Sequence, residues 1–359
     1  MKKQALAVLV AGLFAAPAIA HADGDTVTLY GIAQVGVMSA NNGAVTQNKV
    51  EDTGSRIGVK GTENLGGDLS AFFKIESGVD LAGATSGKFA SREGWVGLAS
   101  KDWGAIKLGR GKTYFDLVQE NFDGFEGNDT MIDSLLIDGV YYRINNAIAY
   151  ETPDLSGFTA KFEYADMEGK TSTTTPYTFI GVAEYNAGPL YLTAAIESQH
   201  NLTGNVSGGS TPKTVVPGAR VTNTFIGGGY TLPTNTNLKL GWRHSDIQND
   251  TTLANNGKRN AWIGVVTQTW DNQYILRGGV MKAGDKSSTS TGILNNDSGG
   301  TYWAVGAEWD MSKRTLIYTE YAHAKNGQNA NSFLTTDSAG QAANTFTNST
   351  WSTGIIHLF

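Results

Sequence analysis

Leu69-Ser-Ala-Phe-Phe-Lys-Ile-Glu-Ser-Gly78 puts Phe73 and Ile75 on one side of an extended chain and Lys74 and Glu76 on the other. Successive side chains of a strand point to opposite faces, so one face here is apolar and the other ionised. The division recurs. Ile57 and Val59 oppose Arg56 and Lys60; Phe158, Phe162 and Tyr164 oppose Lys161 and Glu163; Leu238, Leu240 and Trp242 oppose Lys239 and Arg243. Lys or Arg on a lipid-facing position near mid-bilayer costs about 2–4 kcal/mol, so the charged faces are expected to border a wet lumen.

Sixteen such segments can be read along the chain, from residues 26–38 to residues 350–359. Most are near the roughly 9–11 residues that a tilted membrane strand needs. Connections such as 66–68, 101–103, 186–189 and 312–313 are brief, whereas 201–220, 249–258, 284–300 and 325–348 are long and polar. Short turns at one end and long loops at the other are the pattern of outer-membrane barrels, whose closure satisfies backbone groups that lipid cannot. The expected fold is all-β: a 16-stranded antiparallel transmembrane β-barrel with an inward-folded third external loop. Trp242, Trp262, Trp270, Trp303, Trp309 and Trp351 lie in or beside these strands, where aromatic girdles are expected. Two arginines break the alternation. Arg92 shares parity with Val96 and Leu98, and Arg110 with Ile106 and Leu108. Either they lie beyond the apolar band or a bulge shifts the register.

Composition narrows the function. The chain of 359 residues has 45 glycines, 7 prolines and no cysteine. Its uniform texture favours one large unit, and stability must come from packing and backbone hydrogen bonds. Lys2 and Lys3, the apolar run from Ala5 to Ala16 and the small residues before Asp23 form a secretory signal, expected over residues 1–22 with cleavage after Ala22 or Ala20. The barrel domain is then 23–359. Without Lys2 and Lys3 the 27 basic residues become 25 against 33 acidic, a formal charge of −8 in place of −6. Such a balance disfavours nucleic acid. His244, His323 and His357 are far apart, and no Ser/His/Asp or metal-ligand spacing accompanies them. Catalytic, cofactor-binding and metal residues are therefore expected to be absent.

The connection at about 112–141 differs from the others. Asp116, Glu120, Asp123, Glu126, Asp129, Asp133 and Asp138 occur with no Lys or Arg among residues 116–138. Phe115, Leu117, Phe122, Phe125, Met131 and Ile132 are interspersed. So apolar a segment lowers its free energy by packing on a wall rather than standing in water. Folded inward, its acids Asp116, Glu120, Asp123, Glu126 and Asp129 would face strand bases, for which Arg56, Lys60, Lys74, Lys107, Arg110 and Arg143 are the candidates. Opposed charges across a gap orient dipolar solutes and bias ion passage.

Several motifs in order carry a resemblance. Val27-Thr-Leu-Tyr-Gly31, Ser55-Arg-Ile-Gly-Val-Lys-Gly61, Gly94-Trp-Val-Gly-Leu98, Leu108-Gly-Arg110 and Arg143-Ile-Asn-Asn-Ala-Ile-Ala-Tyr150 resemble Gram-negative general porins of the neisserial and β-proteobacterial type. The resemblance covers essentially the full length, although 151–157 matches only loosely. It implies a water-filled outer-membrane channel for ions and small hydrophilic solutes, a homotrimer, and a third loop opposed by Arg56, Lys74, Arg110 and Arg143. Phe359 resembles the family's terminal assembly signal, which makes the outer-membrane barrel assembly machinery and outer-membrane lipid the implied partners. A substrate-selective channel, a barrel used for adhesion and a barrel enzyme stand as alternatives.

Overall fold

The computed structural model describes residues 26–83, 89–125, 143–166, 170–203, 214–249, 256–288, 294–330 and 347–359. Nineteen strands form a single sheet. They are β1 (Thr26–Asn41), β2 (Thr46–Asp52), β3 (Arg56–Gly66), β4 (Leu69–Gly78), β5 (Glu93–Ser100), β6 (Gly104–Lys112) and β7 (Arg143–Glu151). Then come β8 (Phe158–Asp166), β9 (Tyr177–Ala187), β10 (Leu190–Thr203), β11 (Thr214–Thr231), β12 (Thr236–Gln248) and β13 (Gly257–Trp270). The last are β14 (Tyr274–Ala283), β15 (Lys286–Ser287), β16 (Leu294–Asn295), β17 (Gly300–Asp310), β18 (Thr315–Asn326) and β19 (Thr347–Leu358). A helix, α1 (Tyr114–Glu120), follows β6.

The wall is a closed antiparallel barrel of 16 strands. β1 pairs β3 over Thr26 to Ile32 and β2 over Val35 to Asn41, so β2 and β3 are one wall strand interrupted at 53–55. There the Asp52 carboxylate accepts from the Gly54 and Ser55 amides at 3.0 and 2.8 Å. β15 and β16 form a small hairpin beyond the end of β14, where Ser287 pairs with Lys258 at the start of β13, and β14 pairs directly with β17. The reading of 26–38 and 54–63 missed the extended hairpin of β1 and β2, because polar residues 42–53 carry no apolar alternation.

Closure is made by β1 and β19, from Ile32 opposite Leu358 to Asn41 opposite Ser349. Phe359 adds one more rung: its amide donates to the Gly31 carbonyl at 3.1 Å and its carbonyl accepts from Gly31 at 3.0 Å. Thr26, the first described residue, and Phe359 lie at the end of the barrel where connections are short, 67–68, 101–103, 152–157, 188–189, 232–235, 271–273 and 311–314.

Alternation sorts the two faces as two solvents would. Leu240 and Val96 are 60% and 58% exposed on the outside, while Glu163 and Arg243 are 2% and 3% exposed on the inside. Lys74 and Lys161 both ion-pair with inward carboxylates, not with the outer surface. On the outer face, Tyr274 and Trp309 stack at 6.5 Å near the short turns. Trp303 and Tyr321 meet at 5.4 Å near the long connections. Two aromatic belts with aliphatic side chains between them match a bilayer's two interfaces.

Candidate functional site

The inner wall of β1, β3, β4 and β5 gathers one cluster of charge. Glu76 accepts from Tyr30 Oη at 2.9 Å and from Arg92 Nε at 2.8 Å. Arg56 Nε stands 4.0 Å from the same carboxylate and Lys74 Nζ 3.6 Å. Lys74 also pairs with Glu93 at 2.9 Å. Lys60 lies opposite Lys74 in register, its ammonium 5.3 Å from the centre of the Tyr30 ring. Four bases thus surround two acids. The parity of Arg92 is explained here: it precedes β5, and its guanidinium turns to Glu76 from beyond the strand's end.

Lys107, Arg110 and Arg143 lie elsewhere. Lys107 Nζ is 4.5 Å from the Trp95 ring centre and 4.9 Å from that of Tyr114. Arg110 keeps the parity of Ile106 and Leu108, and its guanidinium bonds Asn145 and, at 3.1 Å, the Ser91 carbonyl. A bulge faces it: Gly109 pairs Ala147 but Gly111 pairs Ile144, and Asn146 takes φ +54°. The bulge falls on β7 and leaves Arg110 at the strand's end. Arg143 opens β7, buried and opposite Lys112.

Beyond β6 the chain turns into α1. Thr113 caps it by accepting from the Asp116 amide at 3.1 Å, satisfying a first-turn donor. Phe115, Val118 and Phe122 are almost wholly buried. The helix lies against β8, β9 and β10. The Tyr114 amide donates to Glu163 at 3.0 Å, and burial holds the Tyr114 phenol well above its ordinary pKa, so it is a neutral hydroxyl. Past the helix, Asn121 Nδ2 donates to Tyr191 Oη at 3.1 Å and Lys239 donates to the Asn121 carbonyl. Phe122 meets Phe225 edge-on at 4.9 Å and occupies the space that a side chain at Gly227 would need. Gly124 borders Val265, Thr267 and Arg277, and Phe125 lies over Gly306.

Of the acids in this segment, Asp116 and Glu120 both contact Lys112, the base at the segment's own entrance. Asp123 accepts from the Phe125 amide at 3.1 Å, and its charge acts on Lys239. None of these three pairs with Arg56, Lys60 or Lys74 in the ion pairs among the described residues. Glu126 and Asp129 lie outside the described residues.

The chain matches the family model described as Gram-negative porin over residues 5–329. This chain belongs to the Gram-negative porins. The porin is 25% identical to the major outer membrane protein P.IB of Neisseria lactamica over 358 residues, 94% of this chain and 98% of the relative. It is 32% identical over 131 residues to P.IA of Neisseria meningitidis, 36% of this chain and 33% of that relative. The matches to the meningococcal and gonococcal proteins span about a third to a half of those relatives' lengths. Its fold is that of an anion-selective porin from Comamonas acidovorans, with TM-score 0.73 and 23% identity over 94% of this chain and all of the other. It is also that of OmpT of Vibrio cholerae, solved as a trimer form, with TM-score 0.69 and 15% identity over 94% and 100%.

Lys161, read as lumen-facing from its parity, pairs with Glu184 at 2.6 Å. Other lumen residues of the porin escaped the sequence reading: Glu184 itself, and Arg277, which pairs with Glu308 at 2.6 Å. Tyr191 donates to Glu184 at 2.7 Å. Their signal was available: each lies on the polar parity of an alternating strand.

Proposed function

We propose that this chain is a general diffusion porin of the Gram-negative outer membrane, a water-filled channel through which ions and small hydrophilic solutes pass passively. Its role is transport, not catalysis. The observation that carries the reading is the ring of ionised side chains on the buried face, from Arg56, Lys74 and Glu76 round to Lys161, Glu184, Arg277 and Glu308. At the same depth the opposite face presents Leu, Ile and Val. So many charges inside a closed wall need water beside them.

In this reading residues 1–22 are a signal peptide removed on export, and residues 112–141 are the third external loop, folded inward. The packing of Phe122 on Phe225 and of Phe125 over Gly306 supports that course. The loop narrows the lumen against β8 to β17 and leaves the open path beside Arg56, Lys60, Lys74 and Arg92. The protein is a homotrimer. Supporting this is the outer face of β1, β3, β5 and β6, where Leu29, Ile57, Val96, Leu98, Ile106 and Leu108 are exposed. The exposed tryptophans within strands lie instead on β13, β17 and β19, and on this side the only exposed tryptophan among the described residues is Trp103, in the turn between β5 and β6.

Planar-bilayer recording tests the reading. Stable open steps whose size rises in proportion to bath salt are expected. Persistent silence of correctly folded protein overturns the channel, and current block that saturates at low concentrations of one solute overturns general diffusion in favour of a selective pore.

A further inference from the structure

The inner wall beside the open path carries rings as well as charges. Phe72 on β4 shares the inward parity of Lys74, Trp95 on β5 stands opposite Lys74 in register, and Tyr30 on β1 points its hydroxyl to Glu76. Each ring lies over a glycine of the neighbouring strand. Tyr30 takes the space that a side chain at Gly58 would need, Phe72 that at Gly97, and Trp95 that at Gly111. With no Cβ beneath them the rings come down against the backbone, which leaves their other side to the lumen. Tyr30 and Phe72 are half-buried and Trp95 is buried, so the first two are the ones a passing solute can touch.

Ammonium groups stand between these rings. Lys60 and Lys74 Nζ are 5.3 and 5.8 Å from the centre of the Tyr30 ring. Lys60 is opposite Lys74, and Thr62 is opposite Phe72, so Phe72 is the next inward residue toward the short turns. Two residues along a strand rise about 7 Å, roughly the length of one small ring with its carboxylate. Lys74 is shared by Glu76 and Glu93. Lys60 is exposed and, among the described residues, has no ion pair with a carboxylate.

We propose that Tyr30, Lys60, Phe72 and Lys74 form a subsite for small aromatic carboxylates in transit through the pore. The solute carboxylate pairs with Lys60, which has none of its own, and is drawn also by Lys74. Its ring then meets Tyr30 or Phe72 in the offset or edge-to-face contact that aromatic pairs prefer. A basic strip alone treats anions of one size and charge alike. The rings add a contact that a planar aromatic acid makes and a saturated acid of the same size does not. The inference rests on the channel reading above and concerns what the open path prefers.

The test uses the full protein in planar bilayers under gradients of potassium benzoate and of potassium cyclohexanecarboxylate, acids alike in charge and nearly alike in size. Reversal potentials should give benzoate the higher permeability in wild type, by about threefold. Y30L/F72L should bring the two acids level, whereas Y30F, which keeps the ring, should retain the preference. K60Q should lower the permeability of both acids relative to potassium. Equal permeability in wild type, an unchanged ratio in Y30L/F72L or undiminished permeability in K60Q would each overturn the subsite. F72L alone, expected to lose part of the preference, serves if the double variant does not fold. Saturation-transfer NMR of the protein folded in detergent reads the subsite without conduction: the benzoate ring protons should respond with wild type and not with Y30L/F72L. A silent wild type that still gives this response sinks only the channel, and a channel that passes potassium chloride but treats the two acids alike sinks only the subsite.

Discussion

The ring of Phe359 lies across Gly31, filling the space where any other residue at that position would place its Cβ. The two residues also exchange both backbone hydrogen bonds. The seam of the barrel thus ends in a rung made by the last residue and one glycine. Gly31→Val is expected to destabilise the closed barrel by about 1–3 kcal/mol, the usual cost of overpacking. Deleting Phe359 removes the rung altogether. Both changes should lower the temperature at which the folded form disappears on semi-native gels; unchanged migration of both variants refutes the role of the seam.

Lys112 contacts Asp116 and Glu120, and both Lys112 and Asp116 are buried. Lys112→Met removes a cation from between two carboxylates, and breaking a buried pair costs about 3–5 kcal/mol. The loss should be local to α1. Chymotrypsin cleavage at Tyr114 and Phe115 is expected to accelerate while the barrel itself resists; no change in cleavage rate counts against it.

Phe122→Ala empties the recess beside Gly227 and Phe225. Truncating a buried Phe costs about 3–5 kcal/mol, here borne by the segment rather than by the wall. The expected readout is a larger and noisier open-channel current with an unchanged barrel melting temperature.

Glu76 is shared by Tyr30, Arg56, Lys74 and Arg92. Glu76→Gln removes one negative charge and leaves the bases in place, so the lumen becomes more positive. Reversal potentials across a potassium chloride gradient should shift toward chloride, with the permeability ratio changing roughly twofold. A shift toward potassium contradicts the placement of these bases along the open path.

Asp285 lies in the connection after β14. Burial opposes its ionisation, but the amides of Gly299, Ser298 and Asp297 and the charge of Arg259 hold its carboxyl below the ordinary 3.8. Because the folded value is the lower one, its contribution is present above about pH 4 and is lost as pH falls through the depressed value. Exchange of the Ser298 and Gly299 amides, both bonded to Asp285 Oδ1 at 2.9 Å, should quicken in that acid range. Asp285→Asn should show fast exchange at neutral pH too.

The wall was legible because lipid and water impose opposite demands on neighbouring residues. Phe73 against Lys74, or Leu240 against Lys239, reads without any tertiary information. What escaped reading has no such contrast. β2 is polar on both faces except at Val50, since it stands above the apolar band. Helix α1 was read only as part of a loop, although Thr113 three residues before Asp116 and the spacing of Phe115, Val118 and Phe122 were signs of a capped amphipathic turn. Parity brings Arg56, Lys60 and Lys74 together and sets Glu76 on the face of Lys74, but only the cross-strand register, Glu76 opposite Glu93, shows that Glu93 stands among them too. Nor could composition show that Asp116 and Glu120 meet the lysine beside them in the chain. Short-range pairing wins there because a helix turn delivers both acids to Lys112.

The recesses for Phe122 and Phe125 are cut by Gly227 on β11 and Gly306 on β17, roughly a hundred and nearly two hundred residues further along the polypeptide. The segment after β6 can rest α1 on β8, β9 and β10, but it cannot seat Phe122 and Phe125 until those distant strands stand beside it. Full docking therefore needs both halves of the circumference, and reports that they have met.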